Sequence, residues 1–250
     1  MRKSLTLARR ELSAYFYSPM AYVIAALFLG LVGLIFLLGV RIPFLEIDRP
    51  AVFQPGAEST LRNLFDVLAY GLVVVVPLLT MRLVAEEFRS GTIETLMTAP
   101  VTDAEVVAGK FLGAFALYVI LLAATGVYFG LVVIFGQPDW GVAAMGYLGM
   151  VLLGAAYVSV GLFASTLTSH QLVAGLIGMA ILSAFTAGVY LVVINVPAEA
   201  ASTVNQFNAI TYFGEFSRGF LDTRGLVFFV TVTAFFLFLS VKVLESRRWR

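Results

Sequence analysis

The most polar stretch of this chain, residues 83–110, separates two long apolar runs. Ten of its 28 residues are Ser, Thr, Asp or Glu. Carboxylates and hydroxyls at this density can form ion pairs and hydrogen bonds with a partner in water, whereas a connection between two helices needs only about 2–8 residues. We therefore interpret the stretch as a binding surface. On composition alone, an ordinary solvated loop remains the alternative.

Sequence motifs for catalysis are absent. The phosphate-binding pattern GxxxxGK[ST] fails at Gly109-Lys110, because Ala104 stands in place of the first glycine and Phe111 follows the lysine. Neither HExxH nor GxSxG occurs, and without cysteine the chain has no disulfide or thiol chemistry. We predict a protein that is not an enzyme and holds no cofactor or metal.

The composition is that of a membrane protein. Apolar residues make up 60% of the 250 residues and charged residues 12%, against about 45–50% and about 25% in soluble domains. The net charge of +1 gives no reason to expect a nucleic-acid partner. The lipid bilayer is therefore the first predicted partner.

Six apolar runs are long enough to cross about 30 Å of hydrocarbon as helices. They are residues 19–40, 64–81, 111–135, 142–167, 172–194 and 226–244. The second run contains Pro77, which kinks a helix but is tolerated where neighbouring helices satisfy the freed carbonyl. We predict an all-α membrane protein with six transmembrane helices in a single domain, residues 1–250.

The distribution of Lys and Arg predicts the orientation. Eleven of these residues fall on the side that holds both termini and residues 83–110, and five fall on the other side. Both termini and the polar stretch are therefore predicted to face the cytoplasm, and an even number of spans agrees with termini on one side.

Local signals within the polar stretch predict a helix, a short cross-helix and another helix. Arg82 and Glu86, four residues apart, suggest that the second span continues as a solvated helix to about Phe88. Gly91 permits the positive φ of a helix C-terminus, and a short helix is predicted over residues 93–97. Thr102 and Glu105 match a capping box, so the third span should begin near Asp103.

Three further features carry expectations. Residues 4–18 have an apolar stripe and basic residues elsewhere, which favours an interfacial helix. Residues 195–224 form an outer connection rich in apolar residues, which we expect to fold back on the membrane as short helices, and the sequence does not decide whether they re-enter it. The pair Gly126 and Gly130 could let helices approach closely, and Gly109 and Gly113 share this spacing where the third span enters the membrane.

Several segments together resemble the ABC-2 type transporter permeases. The central one is Glu86-Glu-x-Arg-Ser-Gly-Thr-Ile-Glu-Thr95 within residues 81–111. Further similar segments are residues 10–19, 153–168, 216–219 and 244–249, so the resemblance covers nearly the whole chain. The sequence is most similar to the branch that contains the gliding-motility-associated permease and the permease of nitrous-oxide-reductase maturation.

This resemblance implies a type V exporter-like permease subunit with an N-terminal elbow helix over residues 4–18. In the family, the region corresponding to residues 84–104 docks into a groove of a separate ABC ATPase, which carries ATP and Mg. The residues that would form or orient the contact are Glu86, Glu87, Arg89, Ser90, Gly91, Thr92, Glu94 and Thr95. The resemblance also implies a second permease subunit, as a homodimer or heterodimer, in the cytoplasmic (inner) membrane of a bacterium or archaeon.

Two other functions stay open at this point. The chain could be a membrane anchor or scaffold that recruits a cytoplasmic ATPase without transport. It could also be an ion-coupled secondary transporter, which usually needs ionisable residues within its spans. Such residues are almost missing here, and Asp66 at the edge of the second run is better explained as a boundary residue near Arg62. The substrate and the residues that line its path do not follow from the sequence.

Overall fold

A computed structural model describes residues 2–39, 57–92, 101–135 and 139–248. Every regular element in these ranges is helical. The first half contains α1 (Arg2–Phe16), α2 (Pro19–Gly39), α3 (Ala57–Thr80), α4 (Ala85–Ser90), α5 (Asp103–Ala124) and α6 (Gly126–Phe135). The second half contains α7 (Trp140–Leu167), α8 (Gln171–Ser183), a π-helical turn (Ala184–Gly188), α9 (Val189–Val193), α10 (Ala198–Asn205), α11 (Ala209–Ser217) and α12 (Thr223–Arg248).

Five helical stretches are long and apolar enough to cross a membrane, judged by length and composition. They are Leu64–Ser90, Asp103–Ile134, Trp140–Leu167, Gln171–Val193 and Thr223–Arg247. The pair Ser4–Phe16 and Ala21–Leu34, bent by 77°, raises the number to six if it is counted as one broken span. The prediction of an all-α, multi-pass membrane protein is confirmed. The number six and the interfacial position of α1 stay predictions.

Helix α7 is the centre of the packing and contacts α3, α5, α8, α11 and α12. Its glycines let neighbouring side chains come close to its backbone. A Cβ atom at Gly154 would lie 2.0 Å from the Tyr118 ring of α5, and one at Gly161 would lie 2.0 Å from Thr80 Oγ1 of α3. The helices on either side of the polar stretch are therefore both held on α7.

Residues 195–224 contain two short helices, α10 and α11, as the apolar residues of this segment predicted. Phe213 and Phe216 of α11 are fully buried, and α11 packs on α3, α7 and α12.

Candidate functional site

The polar stretch, residues 83–110, begins at a break between α3 and α4. The helix stops at Thr80, residues 81–84 form a turn, and α4 begins at Ala85. Ser165 of α7 fills the break: its hydroxyl accepts hydrogen bonds from the backbone N–H groups of Val84 and Ala85, both at 3.0 Å, and donates to the carbonyl of Met81 at 3.1 Å. The second span therefore continues as helix to Ser90, close to the predicted end near Phe88, and a one-turn break at residues 81–84 interrupts it where a side chain from α7 replaces helical hydrogen bonds.

Arg82 and Glu86 bind other groups instead of each other. Arg82 Nη1 donates to Ser18 Oγ at 2.6 Å, and its guanidinium lies over the Tyr15 ring, 5.1 Å from the ring centre. Glu86 Oε2 accepts a hydrogen bond from Gln171 Nε2 at the start of α8. The predicted i, i+4 pair is not among the salt bridges of the ranges that the structure describes.

Lys110 is the charged centre of the site. It is 1% exposed, and its ammonium group donates to Glu11 Oε1 of α1 at 2.9 Å, to Glu87 Oε1 of α4 at 2.7 Å and to the Leu83 carbonyl at 2.6 Å. All three N–H donors of the ammonium are used. One side chain of α5 therefore ties α1 and α4 to the same point.

Glu87 has hydrogen-bonding capacity left over. Its Oε1 accepts from Lys110, whereas its Oε2 is buried and has no hydrogen-bond partner within the described part of the chain. The triad of Glu11, Glu87 and Lys110 carries a formal charge of −1 when all three groups are ionised. Sequence reasoning identified Glu87 but counted Lys110 only as a topology signal, and it gave Glu11 no role.

Helix α1 packs closely on α5 beside this triad. A Cβ at Gly109 would lie 2.6 Å from Leu7 Cβ, and a Cβ at Gly113 would lie 2.7 Å from Glu11 Cβ. The two glycines therefore bring the helix backbones close enough for Glu11 to reach Lys110. By contrast, a Cβ at Gly126 or Gly130 would meet nothing within 4 Å, so close approach at that pair is not seen among the described residues.

The C-terminal end of α4 is exposed. Gly91 has φ of +71°, which confirms its predicted role as the left-handed residue that ends a helix. Arg89, Ser90, Gly91 and Thr92 are all exposed, and Ser90 Oγ hydrogen-bonds both the Glu86 carbonyl and the Thr92 hydroxyl, at 2.8 and 2.9 Å. Glu94, Thr95 and the predicted helix over residues 93–97 lie outside the described residues.

The start of α5 confirms the predicted capping box. Thr102 Oγ1 accepts from the Glu105 N–H at 3.2 Å, and Glu105 Oε2 accepts from the Thr102 N–H at 3.0 Å, so α5 begins at Asp103 as expected. Both ends of the polar stretch are thus fixed, one by Ser165 and Lys110 and the other by the cap.

The exposed end of α4 offers charged and hydroxyl groups of the kind that form contacts with a partner. Among the described residues, no group of three or more His, Cys, Asp or Glu side chains could hold a metal ion. We call α4 and its exposed end, residues 85–92, the platform. Contacts from several helices hold it, while Arg89, Ser90, Gly91 and Thr92 are exposed to solvent.

Comparison with known proteins agrees with the resemblance. The family model described as ABC-2 family transporter protein matches residues 42–242, which include the polar stretch and helices α3 to α11 in full. No curated protein matches this chain at a significant level.

Proposed function

This chain belongs to the ABC-2 family of transporter proteins, and from that premise we propose that it is the permease subunit of an export system driven by a separate ABC ATPase. Family membership makes it the membrane-spanning component of an ABC transport system, a generally non-catalytic subunit that partners an ABC ATPase. Export as the direction, and coupling to an ATPase on another chain, are the proposed parts.

The observation that carries the proposal is the way α4 is held. Its side chains and the preceding turn are bound by Lys110 of α5, Ser165 of α7 and Gln171 of α8. A partner that displaces α4 would therefore act on several spans at once. A flexible topology loop would have no need of such contacts.

We propose that the ATPase docks on residues 84–104. Arg89, Ser90, Gly91 and Thr92 on the exposed end of α4 would contact it, together with Glu94 and Thr95 beyond the described residues. Glu86 and Glu87 would orient α4 through Gln171 and Lys110. ATP and Mg would be bound by the ATPase, and ATP binding would shift the docked segment and tilt α3 and α5.

The remaining parts of the proposal come from the resemblance. Two permease subunits, identical or different, would form the pathway between them, each with six spans and with α1 as an elbow helix at the cytoplasmic face. The assembly would lie in the inner membrane of a bacterium or archaeon, with both termini in the cytoplasm. The chain would belong to the branch of gliding-motility-associated and nitrous-oxide-reductase-maturation permeases, which the similar segments favour.

The test is co-purification with an ATPase encoded beside this chain, followed by ATP hydrolysis in lipid. The variant Gly91→Val with Glu94→Lys should insert normally but lose the ATPase, because it strains a left-handed turn and reverses a charge. Glu199→Lys with Gly214→Val on the outer connection is the matched control and should keep the ATPase.

Normal association of the docking variant would refute the docking role. If the ATPase binds but neither its rate of ATP hydrolysis nor the conformation of α3 changes, the chain would be a scaffold and not a transporter. A response of α3 to an ion gradient alone would indicate a secondary transporter.

A further inference from the structure

Arg247 in the last turn of α12 joins three helices. Its Nη2 donates a hydrogen bond to the carbonyl of Leu167, the last residue of α7, at 2.7 Å. The same guanidinium lies over the ring of Phe88 in α4, with its central carbon 4.4 Å from the ring centre. Arg247 is therefore in contact with the end of α7 and with the platform helix together.

The chemistry of both contacts favours arginine. The last carbonyls of a helix have no partner within the helix, and a cation there also interacts favourably with the helix dipole. A planar guanidinium can stack on an aromatic ring while its edge still donates hydrogen bonds, whereas an ammonium group is a compact point charge. The planar, charged guanidinium of Arg247 is therefore suited to cap α7 and to stack on α4 at the same time.

The contact with Arg247 involves Phe88, a residue of α4 that the hydrogen bonds described above do not use. Glu87 faces Lys110 of α5, and Glu86 is bonded to Gln171 of α8, while the turn before α4 is bonded to Ser165 of α7. Phe88 lies between these acidic side chains and Arg89, and its partner belongs to the last span.

We propose that Arg247 is a positioning residue that holds α4 against the ends of α7 and α12. We call these two contacts of Arg247 the clamp. Through the clamp, a displacement of α4 would be transmitted to the last span, α12, in addition to α3 and α5. The consequence for transport rests on the proposed function, because the docked ATPase would move α4 during transport. The clamp itself is a property of this chain alone.

The first experiment needs no partner. The natural chain has no cysteine, so Val84→Cys, at a buried position directly before α4, provides a single thiol. Its reaction rate with a maleimide, measured on the full chain in lipid nanodiscs, reports how often α4 opens. Arg247→Gln should raise the rate about tenfold, the change that corresponds to about 1.4 kcal/mol. Arg247→Lys keeps the charge but loses the stacking, and should give an intermediate rate.

A second cation–aromatic pair supplies the matched control. Lys242 lies 5.6 Å from the ring centre of Phe238 within α12 itself, so Lys242→Gln should leave the thiol rate unchanged. Phe88→Leu should also raise the thiol rate. The double variant Phe88→Leu with Arg247→Gln should react little faster than either single variant, since both substitutions remove the same stacking contact. An unchanged rate in Arg247→Gln, an equal increase in Lys242→Gln, or fully additive effects would each overturn the clamp.

The second experiment addresses the route to α12. With the ATPase bound, Arg247→Gln should leave association intact but lower the stimulation of ATP hydrolysis by about two- to thirtyfold, the range that corresponds to about 0.5–2 kcal/mol of coupling. Unchanged stimulation with intact association would overturn the route. Absence of association in the unaltered chain would count against the proposed function, whereas the thiol rates would still decide whether Arg247 holds α4.

Discussion

Lys110 shows at the scale of one residue how the platform is held. A lysine is seldom fully buried without partners, and this one has two carboxylates and a carbonyl around its ammonium group. We predict that Lys110→Met lowers the free energy of unfolding by up to about 3 kcal/mol. This is the low end of the range for breaking a buried pair, since the partner carboxylates are 19% and 24% exposed. Denaturant unfolding in nanodiscs measures the change.

Two further variants test the cause of this loss. Lys242→Met breaks an exposed pair with Glu245, whose side chains are 54% and 42% exposed, and should cost less than about 1 kcal/mol. Adding Glu11→Gln and Glu87→Gln to Lys110→Met removes the unpaired negative charges and should recover much of the stability. A triple variant as unstable as Lys110→Met would show that the charges are not the cause.

Ser165 permits a second prediction at the same scale. Ser165→Ala leaves the amides of Val84 and Ala85 without their acceptor and should cost about 1–3 kcal/mol. Ser159 is also fully buried on α7, but its hydroxyl bonds only the Ala156 carbonyl of its own helix among the described contacts, so Ser159→Ala should cost much less. Hydrogen exchange of amides 84 and 85 should accelerate in Ser165→Ala alone. Equal exchange in both variants would contradict the role of Ser165 at the break.

At the scale of elements, the sequence predicted those helix ends whose contacts are made by residues close by in the chain. The capping box before α5 and the left-handed Gly91 after α4 were both readable, because their partners lie within a few residues. The turn between α3 and α4 was not readable, because Ser165 lies 80 residues or more from the groups that it binds. The Lys110 triad was missed for the same reason, as Glu11 is 99 residues away.

The two glycine pairs give a prediction about helix packing. The spacing alone could not tell which pair is packed, and the structure places α1 against Gly109 and Gly113. Gly109→Ala should therefore push α1 off α5 and destabilise the chain by about 1–3 kcal/mol, as overpacking does. Gly130→Ala meets open space and should be neutral or stabilising by up to about 1 kcal/mol. Protease cleavage within α1 should increase only in Gly109→Ala, and cleavage that increases equally in both variants would contradict the assigned contact.

At the scale of the whole molecule, composition predicted the class of protein, but the number of spans depends on α2. The charge distribution, with 11 basic residues on one side and five on the other, predicts that both α2 and α3 cross. By the test of length and composition, the N-terminal pair of helices counts as a span only if its 77° bend is included. The position of Ser13 relative to Ser90 therefore decides between five spans and six, because α2 and α3 separate these two residues.

Because the chain has no cysteine, labelling of single introduced thiols can decide between five spans and six. We predict that Ser13→Cys and Ser90→Cys, each as the single thiol, react with a membrane-impermeant maleimide only in inverted vesicles. Thr203→Cys in α10 should react only in right-side-out vesicles, because the spans of α5, α7 and α8 to α9 lie between it and Ser90. If Ser13→Cys instead reacts together with Thr203→Cys, then α2 and α3 do not both cross the membrane. The N-terminus would then lie on the outer side, and Glu11 could not reach Lys110 beside a docked ATPase. The same labelling thus tests the topology and the triad on which the platform depends.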